Sequence, residues 1–300
     1  MDSIFVVGTD TIAGANLATH WTDGGRSVNG FKRDVSDPDF GPTALDEARA
    51  QLAATKPEVV VYCGAASESA WSWPAIDAAA EGDLRVWARA VRDFGCRFTY
   101  VSSDAVFTGP WLFHAEDSTH HCQSLEAGRL RSMEELAQRI VADALIVRTN
   151  TFGWSSNGEG WIESLIASLE DEMLDADPVR HATPILASDL ASILTRAHEE
   201  ALSGFLHVAG AERVSHAAFV RMLADQFGLT APAAQLSGVL ATSATGFGRG
   251  ETSLRTGRAK NVLNLAMPSL ADGLARLHTQ NIDGFRNRLG SHACELHRVA

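Results

Sequence analysis

The 300-residue sequence predicts an α/β fold: a Rossmann-like doubly wound parallel sheet with a smaller C-terminal substrate-binding lobe. Three observations predict it. Short, nearly continuous apolar runs alternate with helix-like segments through the first half, the first run ends in a glycine turn, and after Asn150 the alternation becomes irregular.

The opening SIFVVG is a β-branched run ending at Gly8, followed by TDTIAG and by ANLATHW, whose apolar spacing suits a helix. A second run, SVNGF, reaches KRDVSDPDF, and the helix-like TALDEARAQLAATK leads through Pro57 to a third strand, EVVVYCGAA. A polar loop through SESAWSWP precedes the helix DLRVWARAVRDFG and a fourth strand, CRFTYVSSDAVF. SMEELAQRIVAD then predicts a helix and ALIVRTN a strand. In an open sheet built this way, ligands bind beyond the carboxyl ends of the strands.

Residues 1–150 are expected to form the nucleotide-binding core. Residues 151–300 are expected to be a mixed region, part returning to the core sheet and the rest forming the substrate lobe. WIESLIASLEDEML, a segment beginning near Ser188 and residues 215–229 predict helices. GFLHVAG predicts a short strand able to rejoin the main sheet, and Ala231 to Glu251, rich in Ala, Ser, Thr and Gly, reads mostly as loop.

Composition, with 45% apolar and 21% charged residues, fits a soluble globular chain. No apolar run reaches membrane-spanning length and no basic, apolar N-terminus resembles an export signal, so a cytoplasmic location and no membrane partner are expected. A formal charge of -12 argues against a broad nucleic-acid surface and leaves small molecules or proteins as partners, a homo-oligomer being compatible. Cys63, Cys96, Cys122 and Cys294 lack CxxC spacing and the eleven histidines lack an HExxH arrangement, so no metal site is expected.

Gly8 and Gly14 flank the turn after the first strand, where glycine permits a tight turn and close helix–sheet packing, and the helix N-terminus can face a pyrophosphate. Thr11 occupies the central position often held by glycine; it crowds the approach of a ligand, although its hydroxyl can itself donate to phosphate. Lys32 and Arg33 stand where an acidic residue usually grips the ribose of NAD. They suit a 2′-phosphate, favouring NADP over NAD, or are solvent-facing loop cations. Asp34 and Asp37 suit either an adenine amine or a turn cap.

Together these segments resemble the dTDP-4-dehydrorhamnose reductase family of the extended short-chain dehydrogenases. FVVGTDTIAG is similar to its nucleotide turn, DVSDPDF with KPEVVVYCGAA to its acidic stretch and third strand, and YVSSDAVFTG to its strand-four signature. LIVRTNTFG, TPILASDLASIL, GFLHVAGAERVSHAAFVRML and TSLRTGRAKNVLNLAMPSLADGLARL follow in the family's order across nearly the full chain. The resemblance implies a nicotinamide-bound core, a lobe holding a nucleotide-linked sugar, and reduction of a keto sugar by hydride transfer. It implies cofactor contacts along Gly8, Thr11, Ile12, Gly14, Cys63, Gly64 and Ala65, and it places Ser103 at the catalytic hydroxyl, preceded by a structural serine, Ser102.

The family's Tyr-x-x-x-Lys helix is where the sequence departs. Laying EAGRLRSMEE over it, supported by Gly128 and Glu134, puts Ala127 at the tyrosine and Arg131 at the lysine. Arg131 can still meet a cofactor ribose, but its planar guanidinium differs in shape from an ammonium. Ala127 has no proton to transfer, a loss commonly worth about 10² to 10⁴ in rate. The two tyrosines present, Tyr62 and Tyr100, lie in strands. Replacement acids are offered by HAEDSTHHC, with Glu116, Asp117, His120 and His121; the alternative for the histidines is an exposed loop.

Further candidates for the substrate side are Ser67, Trp71, Trp73, Arg148, Arg255 and Arg258. The tryptophans suit stacking on a sugar or base, or sealing the lobes together. Arg148 organises the pocket or forms a salt bridge, and Arg255 and Arg258 suit bidentate phosphate recognition or a solvated turn. Two functions lead: an NAD(P)-dependent oxidoreductase-like protein acting on a keto or nucleotide-linked sugar through an atypical site, and a catalytically inactive nucleotide- or nucleotide-sugar-binding regulatory protein. A protein-interaction module using the fold as scaffold is a third.

Overall fold

Strand β1 (Ser3–Val7) explains why helices cover both faces of the sheet: Phe5 and Val7 enter one apolar cluster and Ile4 and Val6 the other. The structure, a computed structural model, describes residues 3–32, 40–72, 74, 76–171, 177–231 and 246–289. With β2 (Ser27–Phe31), β3 (Val59–Tyr62), β4 (Arg97–Ser103), β5 (Leu145–Thr149) and β9 (Gly204–His207), β1 forms a six-stranded sheet ordered β2-β1-β3-β4-β5-β9. Every neighbouring pair is parallel. The predicted doubly wound sheet is therefore present, and GFLHVAG supplies its β9 edge. The direction of winding reverses between β1 and β3, which opens the crevice where such sheets bind ligands.

On one face lie α2 (Pro42–Thr55), α3 (Ala78–Phe94) and α4 (Leu125–Ile140). Helix α3 starts at Asp77, whose carboxylate accepts from the Ala80 amide, and stops at Gly95 with φ of 83°, a left-handed C-terminal cap that glycine adopts without strain. On the other face lie α1 (Ile12–Asp23), α6 (Ala187–Glu199) and α8 (Gly257–Leu263).

A third apolar cluster builds the lobe from α5 (Trp161–Glu170), α7 (His216–Phe227) and α9 (Leu270–Ile282). It hangs from the end of β5: only Asn150 separates β5 from β6 (Thr151–Phe152), which pairs with β8 (Ile185–Leu186). A second ladder joins β7 (His181–Ala182) to β10 (Val214–Ser215). Trp154, fully buried here, donates its indole N–H to the Leu277 carbonyl at 3.0 Å, so its large apolar area is gained without leaving a buried donor unpaired. Among the described residues no helix is long and apolar enough to cross a membrane.

Burial keeps His198 and His207 neutral, pushing each down to about 3, and holds His216 down to about 4. These folded values lie below the unfolded value of 6.5, so as pH falls the unfolded chain takes up protons first. The associated stability is complete above 6.5 and is lost progressively toward 3, each histidine contributing a slope of up to about 1.4 kcal/mol per pH unit. Thermal unfolding should therefore show a clearly lower Tm at pH 5 than at pH 7. Equal values would contradict the neutral buried imidazoles.

Candidate functional site

The turn after β1 is tight because the backbone at the end of β3 leaves no room. Gly8 has φ of 85°, and a Cβ there would lie 1.9 Å from the Cys63 carbonyl oxygen; one on Gly14 would lie 2.1 Å from the Gly8 carbonyl. Both glycines are thus required, as the sequence predicts. Thr11 caps α1: its Oγ accepts from the Gly14 amide at 3.0 Å and donates to the Gly8 carbonyl at 2.8 Å. The hydroxyl expected to meet a phosphate is spent inside the turn. The Ile12 amide, at the start of α1, donates to Glu68 Oε1 at 2.9 Å.

Glu68 arrives on the chain leaving β3, which makes two short helical turns, Ala65–Ser67 and Ala70–Ser72. Ser67 is buried and donates to the Gly64 carbonyl at 2.8 Å, with Thr11 Oγ1 3.4 Å away, so it braces the turn and does not line the cavity beside it. That cavity, of about 680 Å³, lies between the turn and α5. Trp71, Trp161 and His216 line it; Trp71 packs edge-on against Trp161 (6.4 Å) and His216 (5.2 Å). Arg180 adds a buried guanidinium, bonded to the Gly248 and Ala70 carbonyls at 3.2 Å each and pushed down to about 10 by burial. Asp10, Glu68 and Glu159 bring carboxylates to the same cavity.

Ser103 stands apart from it. The side chain is 2% exposed, accepts from the Ala105 amide at 3.1 Å and lies 3.4 Å from Asp104 Oδ1. Asp104 is buried; its Oδ2 accepts from Thr252 Oγ1 at 2.7 Å and from Asn150 Nδ2 at 3.0 Å, and Ser69 Oγ donates to Asn150 Oδ1 at 2.8 Å. Burial pushes the Asp104 carboxyl up to about 6, against the pull of these donors. The segment carrying Thr252 is stitched in place by the His114 amide on the Ser253 carbonyl (2.8 Å) and the Phe113 amide on Ser253 Oγ (2.9 Å). The end of β4 is therefore a closed polar network linking four parts of the chain.

Several expectations need correction. Arg148 takes the second of its two expected roles, the salt bridge: its guanidinium grips Glu134 at 2.9 and 2.7 Å, lies over the Phe107 and Phe205 rings, and is buried with its partner, which also accepts from Ser102 Oγ at 2.7 Å. Arg258 serves the carbonyls of Phe205, in the sheet-edge strand β9, and of Ser203, just before that strand. Arg255 is exposed and outside the cavity lining. His120 is exposed against Trp111; His121 stacks on Phe107 at 5.7 Å and is lowered by burial and, behind it, by Arg131. Neither histidine lines the cavity.

Ala127 sits in the apolar cluster that includes Phe107, Cys122 and Leu130, and Arg131 donates to the Cys122 carbonyl at 3.1 Å. Tyr62 and Tyr100 are buried strand residues, Tyr62 donating to Asp83 at 2.6 Å. Cys63 is buried, its thiol pushed up by burial, and a Cβ on Gly64 would meet the Tyr62 ring at 2.6 Å; Ala65 begins the first short turn. Lys32 is exposed just after β2. Arg33, Asp34, Asp37 and Trp73 lie outside the described residues. Sequence reasoning missed Glu68, Arg180 and the Asp104 network, all polar groups in loops that carry no periodic signal.

A dinucleotide's pyrophosphate would take the amides at the start of α1. Here the Ile12 amide already holds a carboxylate, the Thr11 hydroxyl is engaged and Asp10 flanks the turn, so with Glu68 in this position the residues do not fit a pyrophosphate.

The RmlD substrate binding domain family matches residues 1–279. A search of curated protein sequences found no match. Among solved structures, the chain is similar to dTDP-4-dehydrorhamnose reductase from Bacillus anthracis in complex with NADP, with TM-score 0.77 and 16% identity over 93% of this chain and 99% of that one. It is similar to a dTDP-4-dehydrorhamnose reductase from Clostridium acetobutylicum, with TM-score 0.75, 18% identity and coverage of 93% and 99%. It is also similar to MoeE5 in complex with UDP-glucuronic acid and NAD, with TM-score 0.70, 18% identity and coverage of 94% and 99%. At these identities the likeness carries the fold.

The Arg148–Glu134 pair yields a direct test of its structural role. Glu134→Ala strands a buried guanidinium and should cost about 3–5 kcal/mol in urea unfolding, whereas the double replacement Arg148→Met with Glu134→Leu should recover most of it. A single variant as stable as wild type would contradict the assignment.

Proposed function

Because the chain belongs to the RmlD substrate binding domain family, among the extended short-chain dehydrogenases that act on nucleotide sugars, we propose that it recognises a nucleotide-linked sugar without reducing it by the tyrosine route. By fold and family it is oxidoreductase-like, of the NAD(P)-binding Rossmann class. The observation that carries the reading is the sealing of Ser103: the hydroxyl at the expected catalytic position lies in a closed network with Asp104, away from the cavity, and no tyrosine accompanies it. A reacting carbonyl needs a hydroxyl within hydrogen-bond reach and a proton donor beside it.

Recognition falls to the cavity. The Arg180 guanidinium offers charge-assisted hydrogen bonds to a diphosphate. Sugar hydroxyls, as donors, suit the Glu159 carboxylate, and the Trp71 and Trp161 rings offer apolar cover to a sugar or base. Only where a dinucleotide displaces Glu68 from the start of α1 does a preference arise, and it is then for NADP, resting on Lys32 after β2 and on Arg33. The cytoplasm is its compartment, in keeping with free thiols at Cys63, Cys96 and Cys122.

Calorimetry with dTDP- and UDP-linked sugars tests the first half: saturable binding is expected, weakened at least about tenfold by Arg180→Met or Trp161→Ala. Assays of NADPH and NADH consumption with keto nucleotide sugars test the second, with no turnover expected. Turnover that falls on Ser103→Ala would overturn the reading, as would failure of every nucleotide sugar to bind.

A further inference from the structure

We infer that Glu68 is the resident anion of the α1 N-terminus, an internal carboxylate that competes with nucleotide phosphate for the Ile12 amide and keeps the pyrophosphate subsite closed. The inference concerns the dinucleotide half of the crevice and stands independently of whether the cavity takes a nucleotide sugar.

The backbone of a phosphate-binding turn is intact. Gly8 makes the close approach to Cys63, and Gly14 the close approach to the Gly8 carbonyl, that leave the first amides of α1 facing the crevice at the β1–β3 switch point. What has changed is the occupant. The Glu68 carboxylate, 56 residues away in sequence, accepts from the Ile12 amide at 2.9 Å, in the position and with the charge a phosphate oxygen would bring.

Its placement is built. The Glu68 amide donates to the Ala65 carbonyl at 3.3 Å, Ser67 on one side is tied to the Gly64 carbonyl at 2.8 Å, and Ser69 on the other is tied to Asn150 at 2.8 Å. The segment cannot drift away from the helix end without breaking bonds on both flanks. Glu68 also lines the cavity together with Asp10, so an arriving phosphate meets two carboxylates as well as an engaged amide.

A carboxylate that only capped α1 would lower stability when replaced and leave anion affinity unchanged. Competition predicts more. Inorganic diphosphate and NADPH, titrated by calorimetry, should bind Glu68→Ala at least about tenfold more tightly than wild type, with the isosteric Glu68→Gln in between and the gain shrinking as salt is raised. Inorganic diphosphate should also raise the Tm of Glu68→Gln while leaving that of the wild type unchanged. Equal affinities in wild type and both variants, or weaker binding in the variants, would overturn the inference. A nucleotide sugar titrated into the same preparations reads the cavity separately: its failure to bind sinks the function proposed above and leaves the diphosphate comparison intact.

Discussion

The contact on which the rest of the molecule depends is the approach of the β1–α1 turn to the end of β3, so close that a single added carbon at Gly8 would collide with the Cys63 carbonyl. Because β1 lies between β2 and β3 in the sheet, this contact falls at the point where the winding reverses. The chain leaving β3 must then pass directly in front of α1. Its two short helical turns deliver Glu68 to the Ile12 amide, Ser69 to Asn150 at the end of β5, and Trp71 to the edge of the lobe. One backbone contact thus sets the helix end, the closed network and the cavity wall together.

Strand alternation separates the remaining polar groups. Successive residues of β4 point to opposite faces, so Ser102 meets Glu134 on α4 while Ser103 turns to Asp104. The Glu134–Arg148 pair is a charged anchor under the sheet, held bidentate and roofed by Phe107 and Phe205. The Asp104 network lies at the strand ends, where Rossmann-type sheets ordinarily present their chemistry to a ligand. In this chain that ground is occupied by Thr252, Asn150 and Ser69, each satisfying a neighbour. Burial of the carboxyl is tolerated because three donors converge on it. A polar cluster with so many mutual partners is suited to rigidity and poorly suited to proton exchange with a ligand it does not touch.

The main strands and most of the helices were legible because burial on two faces forces continuous apolar runs, as in EVVVYC and ALIVRT, and because helices repeat at their own period. Gly8 and Gly14 were legible because they punctuate the turn that ends the first apolar run, where no side chain fits at either position. The return of GFLHVAG to the sheet was legible as a short apolar run bounded by glycines. The site was less so. Thr11 reads as a phosphate donor until its hydroxyl is seen on Gly8, and Arg258 reads as a phosphate ligand until the open edge of β9 is seen to need it. Glu68 and Ile12 are 56 residues apart and Thr252 and Asp104 148 apart; polar contacts at that range leave no pattern in a single sequence.

The protein's own carboxylate already occupies the α1 N-terminus. Amide hydrogen exchange at Ile12, resolved by NMR in the free protein, tests it most directly. The Ile12 amide should exchange slowly in wild type and at least about tenfold faster in Glu68→Ala, with the amides of the sheet unchanged. Equal exchange at Ile12 in the two proteins would contradict it.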